Sequence, residues 1–449
     1  MIEKEGSHMY HFIGIKGTGM AALAQIMKNL GYEVKGSDIT EHCFTDDALN
    51  AAGIYALPFD ADNINENDIV IRGNSFTSEN NVEVKRAEEL DVKMYAYEEM
   101  VGKLTKMFQT ITVAGCHGKT TTSSMLAHTL SEICGCNYLI GDGTGYASKE
   151  NKYFVLEACE YKRHFLAYTP TYAIITNIDL DHVDYFKDID DVISAYQEYA
   201  NKAEKMVIAC GDDPYTHSLE VNPPIFYYGL DEDNDIVAKN VEYKETGTSF
   251  EVFVEGNYYG SFDLPLYGKH MLLDALAVIA ICSYERMDAK EVSKQLKTFT
   301  GAKRRFQQRE IGDIIVIDDY AHHPNEVRAT IKAAKQKYPK KTIVAVFEPY
   351  TFARVKEFHE DYVKALNQAD YAYVMDIKND RDRPEDYPGI TSDLIIQGLE
   401  HGAHIGMEDV DQLLQYQNAV VIFMSPKNIY HIREAFEKLV EEKQKTDEV

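Results

Sequence analysis

A glycine-containing loop between a strand and a helix constrains the fold of this chain more than any other feature. Residues 113–122 read VAGCHGKTTT, and the apolar, β-branched run before them predicts a strand over residues 107–113. Apolar residues then recur at helical spacing, so we expect a helix from Thr121 to about Cys134. A strand, a tight turn and a helix in this order form a phosphate-binding unit of an α/β sheet.

The residue types in this loop suit a nucleoside triphosphate. Gly115 and Gly118 permit the tight turn, backbone N–H groups can hold phosphate oxygens, and the helix N-terminus adds a positive dipole. Lys119 is expected to neutralise the β- and γ-phosphates, and the Thr120 hydroxyl to bind Mg²⁺. Two residues separate these glycines, whereas the usual loop has four, and the short form indicates a particular kind of ATP user. The flanking strand and helix disfavour the alternative, a chance glycine turn.

Composition limits the classes of partner. The chain has 449 residues, enough for about two to four domains, and its net charge of −27 argues against nucleic acid or an anionic membrane. No apolar run approaches the roughly 20 residues of a membrane-spanning helix, and no secretory signal opens the chain. Seven scattered cysteines predict reduced thiols and a cytoplasmic location. Residues 6–9, GSHM, resemble a cloning scar, so residues 1–9 are left out of the fold argument.

The first block of the chain has a Rossmann-like pattern. A strand over 10–15, a glycine turn, a helix through Leu30 and a strand over 33–37 are followed by Asp38. The glycines are spaced GxxGxG rather than in the dinucleotide form, so this motif alone is weak. We favour a ribose or base contact for Asp38 over a solvated acid at a strand end. Strands over 69–72 and 92–95 continue the alternation.

Two further blocks follow, the second from about Lys106 and the third from about Arg304. The second is expected to contain a small antiparallel sheet over 227–266, where short alternating runs are separated by Gly and Asn turns. The third alternates strands and helices again, which predicts a second doubly wound sheet. The other predicted strands are 153–157, 173–177, 206–209, 314–317, 342–347, 371–375 and 419–423, and the helices are 190–203, a region from His270, 325–337, 351–365 and the C-terminal segment.

Polar residues follow several of these strands. Glu157 ends one strand and TNIDLDH at 176–182 ends the next, so carboxylates and His182 should surround the loop crevice. Histidine is an unusual ligand for Mg²⁺, and helix-capping acids are the alternative interpretation. YGKH at 267–270 and Asp274 are expected to contact adenine or to cap a helix. KRRF at 303–306 is either a phosphate clamp or a solvated basic run.

A last polar cluster, DDYAHHP at 318–324, follows a buried-looking strand. Paired histidines beside aspartates would suit a metal, but no further histidine lies at ligand spacing in the sequence. We therefore interpret this cluster as substrate-binding.

Together these motifs resemble the Mur ligases. The resemblance runs from about residue 10 to 440, and the motifs that carry it, in order, are HFIGIKGTGM at 11–20, GCHGKTT at 115–121, TNI with DH at 176–182, KRRF at 303–306 and DDYAHHP at 318–324.

The resemblance implies a three-domain α/β ligase that uses ATP and Mg²⁺ to form an amide bond. A Rossmann-like domain over 10–105 would bind a UDP-sugar, a central P-loop domain over 106–303 would bind ATP, and a Rossmann-like domain over 304–449 would bind the amino acid and part of the ATP. The substrates would be UDP-N-acetylmuramate and L-alanine, joined through an acyl phosphate. The protein would be a monomer or weak homodimer.

Residue roles follow from the same resemblance. The implied catalytic residues are Lys119, Glu157, Asn177, His182, His323 and Arg354, and the implied metal ligands are Thr120, Glu157 and His182. The implied ATP-binding residues are Gly115, Cys116, His117, Gly118, Lys119, Thr120, Thr121, His270, Asp274, Arg305 and Asp319. The implied residues for UDP-sugar and amino acid are Gly17, Thr18, Gly19, Met20, Asp38, Asn74, Tyr320, His322, His323 and Arg354.

Several positions depart from the family pattern. The departures are Cys116, Cys159, Asp274, Tyr350 and the SPKN turn at 425–428, where the family commonly has Thr or Ala, Asp, Asn, His and a GAGD turn, respectively. The last two lie in the block that selects the amine. Two alternatives therefore remain, a ligase for another amino acid or a peptide and a non-catalytic nucleotide-binding paralogue.

Overall fold

The computed structural model describes residues 8–302, 304–379, 382–427 and 429–447. Residues 1–7, Lys303 and Asn428, which belong to segments named above, lie outside these ranges. The chain forms three sheets, of five, ten and six strands, in the order of the three blocks. This arrangement confirms the predicted three-domain α/β architecture.

The first sheet is entirely parallel, with the strand order β3-β2-β1-β4-β5. The predicted first strand ends two residues early, because Gly14 takes a positive φ of 83° and turns the chain towards the first helix. The strands are β1 (Met9–Ile13), β2 (Glu33–Asp38), β3 (Ala56–Pro58), β4 (Ile69–Arg72) and β5 (Met94–Ala96). The helices are α1 (Thr18–Asn29), α2 (Asp46–Ala51), α3 (Val82–Glu89) and α4 (Tyr97–Thr105).

The second sheet places the glycine loop near its centre. Its strand order is β15-β14-β13-β12-β11-β10-β6-β9-β7-β8, and the loop follows β6, which lies between β10 and β9. The strands are β6 (Gln109–Ala114), β7 (Cys136–Leu139), β8 (Gly145–Tyr146), β9 (Tyr153–Glu157), β10 (Tyr172–Ile175), β11 (Met206–Cys210), β12 (Ile225–Gly229), β13 (Ile236–Lys244), β14 (Gly247–Val254) and β15 (Asn257–Leu264). The helices are α5 (Lys119–Cys134), α6 (Ile189–Ala200), α7 (Lys269–Tyr284) and α8 (Ala289–Thr298).

The antiparallel region is continuous with this sheet. Strands β12 and β13 still pair in parallel, and the antiparallel pairing begins with β13–β14 and β14–β15. At the other edge of the sheet, β7 and β8 are also antiparallel. Alternation of apolar residues predicts a strand with one exposed face but does not identify its neighbour, so the sequence could not show this continuity. Helix α7 is buried along nearly its whole length, which explains its almost uninterrupted apolar sequence.

The third sheet has the order β16-β17-β21-β18-β19-β20, parallel except for β16. Strand β16 was not predicted, because its sequence QQREI is mostly polar and exposed, as suits an edge strand. The strands are β16 (Gln307–Ile311), β17 (Ile314–Asp319), β18 (Thr342–Phe347), β19 (Tyr371–Val374), β20 (Gly402–His404) and β21 (Ala419–Met424). The helices are α9 (Pro324–Lys337), α10 (Phe352–Leu366), α11 (Asp393–Ile396) and α12 (Tyr430–Asp447).

Short 3₁₀ turns complete the secondary structure, at Ala61–Asn63, Tyr161–Ala167, Thr216–Ser218, Pro384–Asp386 and Met407–Gln415. Within the described ranges, none of the helices has both the length and the apolar character needed to cross a lipid bilayer. All seven cysteines carry free thiols.

Candidate functional site

The glycine loop requires both of its glycines. Gly115 has a φ of 142° and Gly118 a φ of 80°, values that L side chains rarely adopt. A Cβ at Gly115 would clash with the Thr176 hydroxyl, and one at Gly118 would lie 2.5 Å from Asp274 Oδ1. Because Gly118 supplies the left-handed turn, α5 begins at Lys119, two residues before the predicted start.

Lys119 is held at the centre of the loop by acceptors. Its ammonium donates to the Gly115 carbonyl at 2.5 Å, the Cys116 carbonyl at 3.3 Å and Glu160 Oε2 at 3.0 Å. Burial alone would lower the pKa of Lys119, but the Glu160 carboxylate raises it above its ordinary value. Glu160 is itself buried and was not singled out in the sequence, although it lies three residues after Glu157.

Acidic groups and His182 meet beside this lysine. One ligand atom each from Glu160, Asp181 and His182 lies within 4.8 Å of the other two. Burial lowers the pKa of His182, so its imidazole is neutral and has a lone pair available for a cation. Glu157 instead accepts from the Gly141 amide at 3.0 Å and from the Ser123 hydroxyl at 3.5 Å.

These residues fit a divalent cation in chemical type. Glu157, Glu160 and Asp181 supply hard oxygen ligands, and Thr120 lies in the first turn of α5 next to Lys119. The carboxylates Glu160 and Asp181 were not among the implied metal ligands. They come from different strand ends, and sequence spacing does not show that the two ends converge.

A cavity of about 310 Å³ opens beside the loop. The implied ATP-binding residues that line it are His117, Gly118, Thr121, His270, Asp274, Arg305 and Asp319. Residues that line it but were not singled out as site residues include Asp212, Asp213, Asn325 and Glu326. Lys269, from the YGKH motif, also lines it. The cavity therefore draws on both the second and the third sheet domains.

Buried groups in this cavity have shifted pKa values. Burial raises the pKa of Asp274 to about 7, against the opposing effect of Arg305. Burial also raises the pKa of Asp319 to about 6 and lowers that of His270 to about 4. Asp319 accepts from the Phe306 and Ala321 amides, both at 2.8 Å, so it orders the chain that carries Arg305.

Asn177 supports the loop from the adjacent strand end. Its amide oxygen accepts from the His117 N–H at 2.9 Å, and its amide nitrogen donates to the His117 carbonyl at 2.9 Å. This pair of bonds holds the loop backbone from the side of β10.

The two histidines of the DDYAHHP cluster have different neighbours. His323 lies against His117, with ring centroids 4.6 Å apart, and His322 Nδ1 lies 3.1 Å from Glu326. Spacing in the sequence could not reveal a further histidine near this cluster. His117 is distant in sequence and is brought close by the packing of the two domains. Tyr320 packs under the guanidinium groups of Arg304 and Arg305, at 5.1 and 5.0 Å.

Arg354 crosses between the same two domains. Its Nε donates to Asp181 Oδ1 at 2.7 Å, and both side chains are buried. Burial would raise the pKa of Asp181, but the Arg354 guanidinium holds it well below its ordinary value. Arg354 also lies 5.6 Å from the ring centroid of Tyr350, and Lys427 lies 5.1 Å from the same ring.

The implied UDP-sugar residues lie in the first domain. Asp38 accepts from the Lys16 and Ile39 amides at 2.7 and 2.8 Å, so its carboxylate orders the glycine turn. Met20 is buried in the core and Asn74 is exposed. Gly17, Thr18 and Gly19 form the turn and the start of α1.

A loop of the second domain lies between this turn and Glu157. A Cβ at Gly143 would lie 4.0 Å from the Thr18 Cα, and one at Gly141 would lie 2.5 Å from Glu157 Oε2. The segment 141–145, GDGTG, therefore lies close both to the first-domain turn and to Glu157. Sequence reasoning missed it, although three glycines in five residues were a signal.

Two of the residues that depart from the family pattern, Cys116 and Ser425, make specific hydrogen bonds. The Asp179 amide donates to Cys116 Sγ at 3.1 Å, so a buried thiol braces the loop. The Ser425 hydroxyl donates to Glu348 at 2.6 Å and accepts from the Lys427 amide at 3.0 Å. Cys159 is exposed beside Glu160.

Comparison with known families gives three consecutive matches along the chain. Residues 9–109 match the Mur ligase family catalytic domain, residues 113–282 the Mur ligase middle domain and residues 304–427 the Mur ligase glutamate ligase domain.

Individual relatives extend these matches. The UDP-N-acetylmuramate–L-alanine ligase of Lacticaseibacillus paracasei is 46% identical over 433 residues, which is 96% of this chain and 99% of the relative. The UDP-N-acetylmuramate–alanine ligase structure from Thermotoga maritima has a TM-score of 0.79 and 26% identity, covering 97% of this chain and 99% of that one. A murein peptide ligase structure from Psychrobacter arcticus has a TM-score of 0.72 over 97% of this chain and 99% of that one, and at 21% identity it shows the fold alone.

Proposed function

The chain belongs to the Mur ligase family, and from this premise we propose that it joins L-alanine to the carboxylate of UDP-N-acetylmuramate with the hydrolysis of ATP. The 46% identity to an enzyme of that name over nearly the full chain supports the choice of substrates. The observation that carries the chemistry is the position of Lys119. Its ammonium lies at the phosphate loop, beside a cavity that Arg305 and Asp319 line from the third domain.

The first chemical step activates a carboxylate. The substrate carboxylate attacks the γ-phosphorus of ATP, the bond to the β,γ-bridging oxygen breaks, and an acyl phosphate and ADP result. Negative charge develops on the transferred phosphoryl group, and Lys119 and Arg305 supply fixed positive charge beside it. Asn177 keeps the loop backbone in the conformation that directs its N–H groups at the phosphates.

Mg²⁺ would be held at Thr120, Glu157 and His182, with Glu160 and Asp181 as further carboxylates. When bound, it supplies positive charge for the β- and γ-phosphate oxygens. Glu160 also accepts from the Lys119 ammonium, so one carboxylate would position both the ammonium and the Mg²⁺ ion.

The second step forms the amide bond. The amino group attacks the acyl carbon, loses a proton, and inorganic phosphate leaves. Tyr320, His322, His323 and Arg354 are the groups we assign to the meeting point of sugar and amino acid. An acyl phosphate hydrolyses in water, so closure of the third domain over the loop has to precede chemistry. The buried contact of Arg354 with Asp181 supports such a closed arrangement.

The domain roles follow from these assignments. We propose that residues 10–105 bind the UDP-sugar, 106–303 bind ATP, and 304–449 bind the amino acid and complete the ATP site. We also propose that the enzyme works in the cytoplasm as a monomer or weak homodimer, in peptidoglycan precursor synthesis.

The decisive experiment measures phosphate release from ATP with UDP-N-acetylmuramate and each amino acid in turn. We expect turnover with L-alanine far above that with glycine or L-serine. A Lys119→Ala variant should lose turnover and keep UDP-sugar binding, because Lys119 lies in the second domain; equal loss of both would contradict the domain roles. No phosphate release with any amine, despite measurable ATP binding, would contradict an enzymatic function.

A different amine is the second candidate, and one observation favours it. Tyr350 replaces the family's usual histidine and packs beside Arg354, with Lys427 over its ring. These residues surround the proposed amino-acid site. Preferred turnover with an amine other than L-alanine in the same assay would support this candidate.

A further inference from the structure

Two histidines and an aspartate from three chain segments meet at the seam between the second and third domains. His117 belongs to the phosphate loop, Asp179 follows β10, and His323 precedes α9. One ligand atom from each lies within 4.8 Å of the other two. His117 Nε2 is 3.4 Å from Asp179 Oδ2, and His323 Nδ1 is 3.9 Å from the same oxygen. These distances are longer than those of good hydrogen bonds.

Within the described ranges, three ring nitrogens at this seam lack hydrogen-bond partners, whereas Nδ1 of His323 accepts from the Asn325 amide at 3.4 Å. Among the described residues, neither ring nitrogen of His117 nor Nε2 of His323 has a hydrogen bond, although these atoms are buried. His323 is only 3% exposed. Buried polar atoms usually have partners, so these nitrogens require an explanation.

The surroundings resemble the supporting shell of a metal site. Glu326 Oε1 lies 3.4 Å from His117 Nδ1, the nitrogen on the far side of the ring from Asp179. Asn325 donates to Asp179 Oδ2 at 2.7 Å and so fixes the carboxylate. A histidine that binds a metal through one nitrogen commonly donates the other N–H to a carboxylate, as His117 is placed to do.

We propose that His117, Asp179 and His323 form a binding site for one divalent transition-metal ion of the zinc or cobalt type. Two imidazoles and one carboxylate suit such ions, whereas Mg²⁺ prefers oxygen ligands. The ligands differ from the Glu160–Asp181–His182 group that we assign to Mg²⁺. On binding, His117 gives up one ring proton to solvent, and the ion ties the phosphate loop to the start of α9.

This proposal is independent of the proposed ligase function, and its test does not use activity. Cobalt(II) is titrated into the metal-free, full-length protein in excess Mg²⁺ and without nucleotide, because His117 and Asp179 also line the nucleotide cavity. Visible absorption reports nitrogen coordination. We expect one Co²⁺ per chain. The variants His323→Ala and Asp179→Asn should each weaken binding at least about tenfold, and Glu326→Gln should weaken it by about tenfold through loss of the His117 partner.

Two control variants identify the site. His128→Ala removes a second-domain histidine that bonds to Thr298, and it should leave Co²⁺ affinity unchanged. His182→Ala should also leave it unchanged. Binding that persists in His323→Ala and Asp179→Asn overturns the proposal, and loss in His182→Ala alone assigns the ion to the Mg²⁺ group instead. Thermal unfolding of each metal-free variant checks the fold, and the near-isosteric Asp179→Asn and Glu326→Gln decide the outcome if His323→Ala does not fold.

Discussion

Asp274 places a carboxyl group against the phosphate loop, where a charge acts directly on nucleotide binding. Its Oδ1 lies 2.5 Å from the position that a Cβ on Gly118 would take, and burial raises its pKa to about 7. The carboxyl group is therefore mostly neutral below pH 7 and ionised above it. An ionised Asp274 repels the triphosphate across a poorly solvated distance.

We therefore expect ATP affinity to fall about three- to tenfold between pH 6 and pH 8 in the wild type. The variant Asp274→Asn should remove this part of the pH dependence and bind ATP more tightly at pH 8. Isothermal titration of ATP at both pH values measures the difference, and subtracting the variant removes the titration of ATP itself. The same pH dependence in the variant would exclude Asp274 as its source.

The raised pKa also has a consequence for stability. An aspartate with a folded-state pKa above its unfolded value near 3.9 costs stability as pH rises, because folding then retains a proton that unfolding releases. For Asp274 this loss falls between about pH 4 and pH 7. The free energy of unfolding of Asp274→Asn should lack this decrease with rising pH. Its measurement is therefore a second test of the pKa of Asp274.

Among individual residues, the sequence could predict those whose positions are determined by the local order of strand, turn and helix. Lys119, Gly115 and Gly118 could be identified because a strand, a turn and a helix place them without reference to the rest of the chain. Glu160, Asn325 and Glu326 could not, because each reaches the site through packing between strand ends or domains. For the same reason, the sequence could not associate His117 with His323.

Among the elements, the turn into α5 can be compared with a hairpin turn of similar backbone shape. Gly118 has a φ of 80° and Gly256, between β14 and β15, a φ of 78°. A Cβ at Gly256 would meet nothing within 4 Å, whereas at Gly118 it would meet Asp274. An alanine in either position pays about 1 kcal/mol for the left-handed conformation.

Only Gly118→Ala should therefore affect nucleotide binding. Displacing the loop by this clash removes one or more charge-assisted bonds to phosphate, so we expect ATP affinity to fall about 10- to 100-fold. Gly256→Ala should lower the thermal unfolding midpoint slightly and leave ATP affinity unchanged. Equal ATP affinity in the two variants would show that the loop tolerates a side chain at Gly118.

Elements were predicted well where burial gives a strong pattern. Strands β9 and β18 have the predicted bounds, since both are apolar runs inside a sheet. Strand β16 was not predicted, because four of its five residues are exposed. The pairing of β13 with β12 could not be foreseen, since it depends on a neighbour rather than on the strand's own residues.

Over the whole molecule, the seam between the second and third domains includes a buried ion pair. Arg354 and Asp181 are 4% and 5% exposed and lie 2.7 Å apart. Removing one member of such a pair costs about 3–5 kcal/mol, because the remaining charge stays buried without compensation. At an interface between domains, the unpaired charge can reach solvent when the domains separate. The cost therefore favours separation of the domains and not unfolding.

We expect Arg354→Ala to open the seam. Small-angle scattering should give a larger radius of gyration, and hydrogen exchange should be faster over residues 179–183 and the first turn of α10. Lys364→Ala is the matched control, since this lysine lies on the same helix in an exposed pair with Asp361, and pairs of that kind contribute about 0–1 kcal/mol. Identical exchange in Arg354→Ala and the wild type would mean that the pair does not hold the domains together.

The contribution of the Arg354–Asp181 pair to the contact between the two domains changes with pH in the opposite direction to the contribution of Asp274 to stability. Because Arg354 holds the pKa of Asp181 well below its ordinary value, the pair contributes fully above the unfolded value near 3.9 and is lost as pH falls through the folded value. Closure should therefore be independent of Asp181 around neutral pH and weaken only in strong acid. The double variant Asp181→Asn with Arg354→Gln removes both charges, so its scattering profile at neutral pH should lie closer to the wild type than that of Arg354→Ala. A double variant as open as Arg354→Ala would mean that the uncompensated Asp181 charge is not what separates the domains.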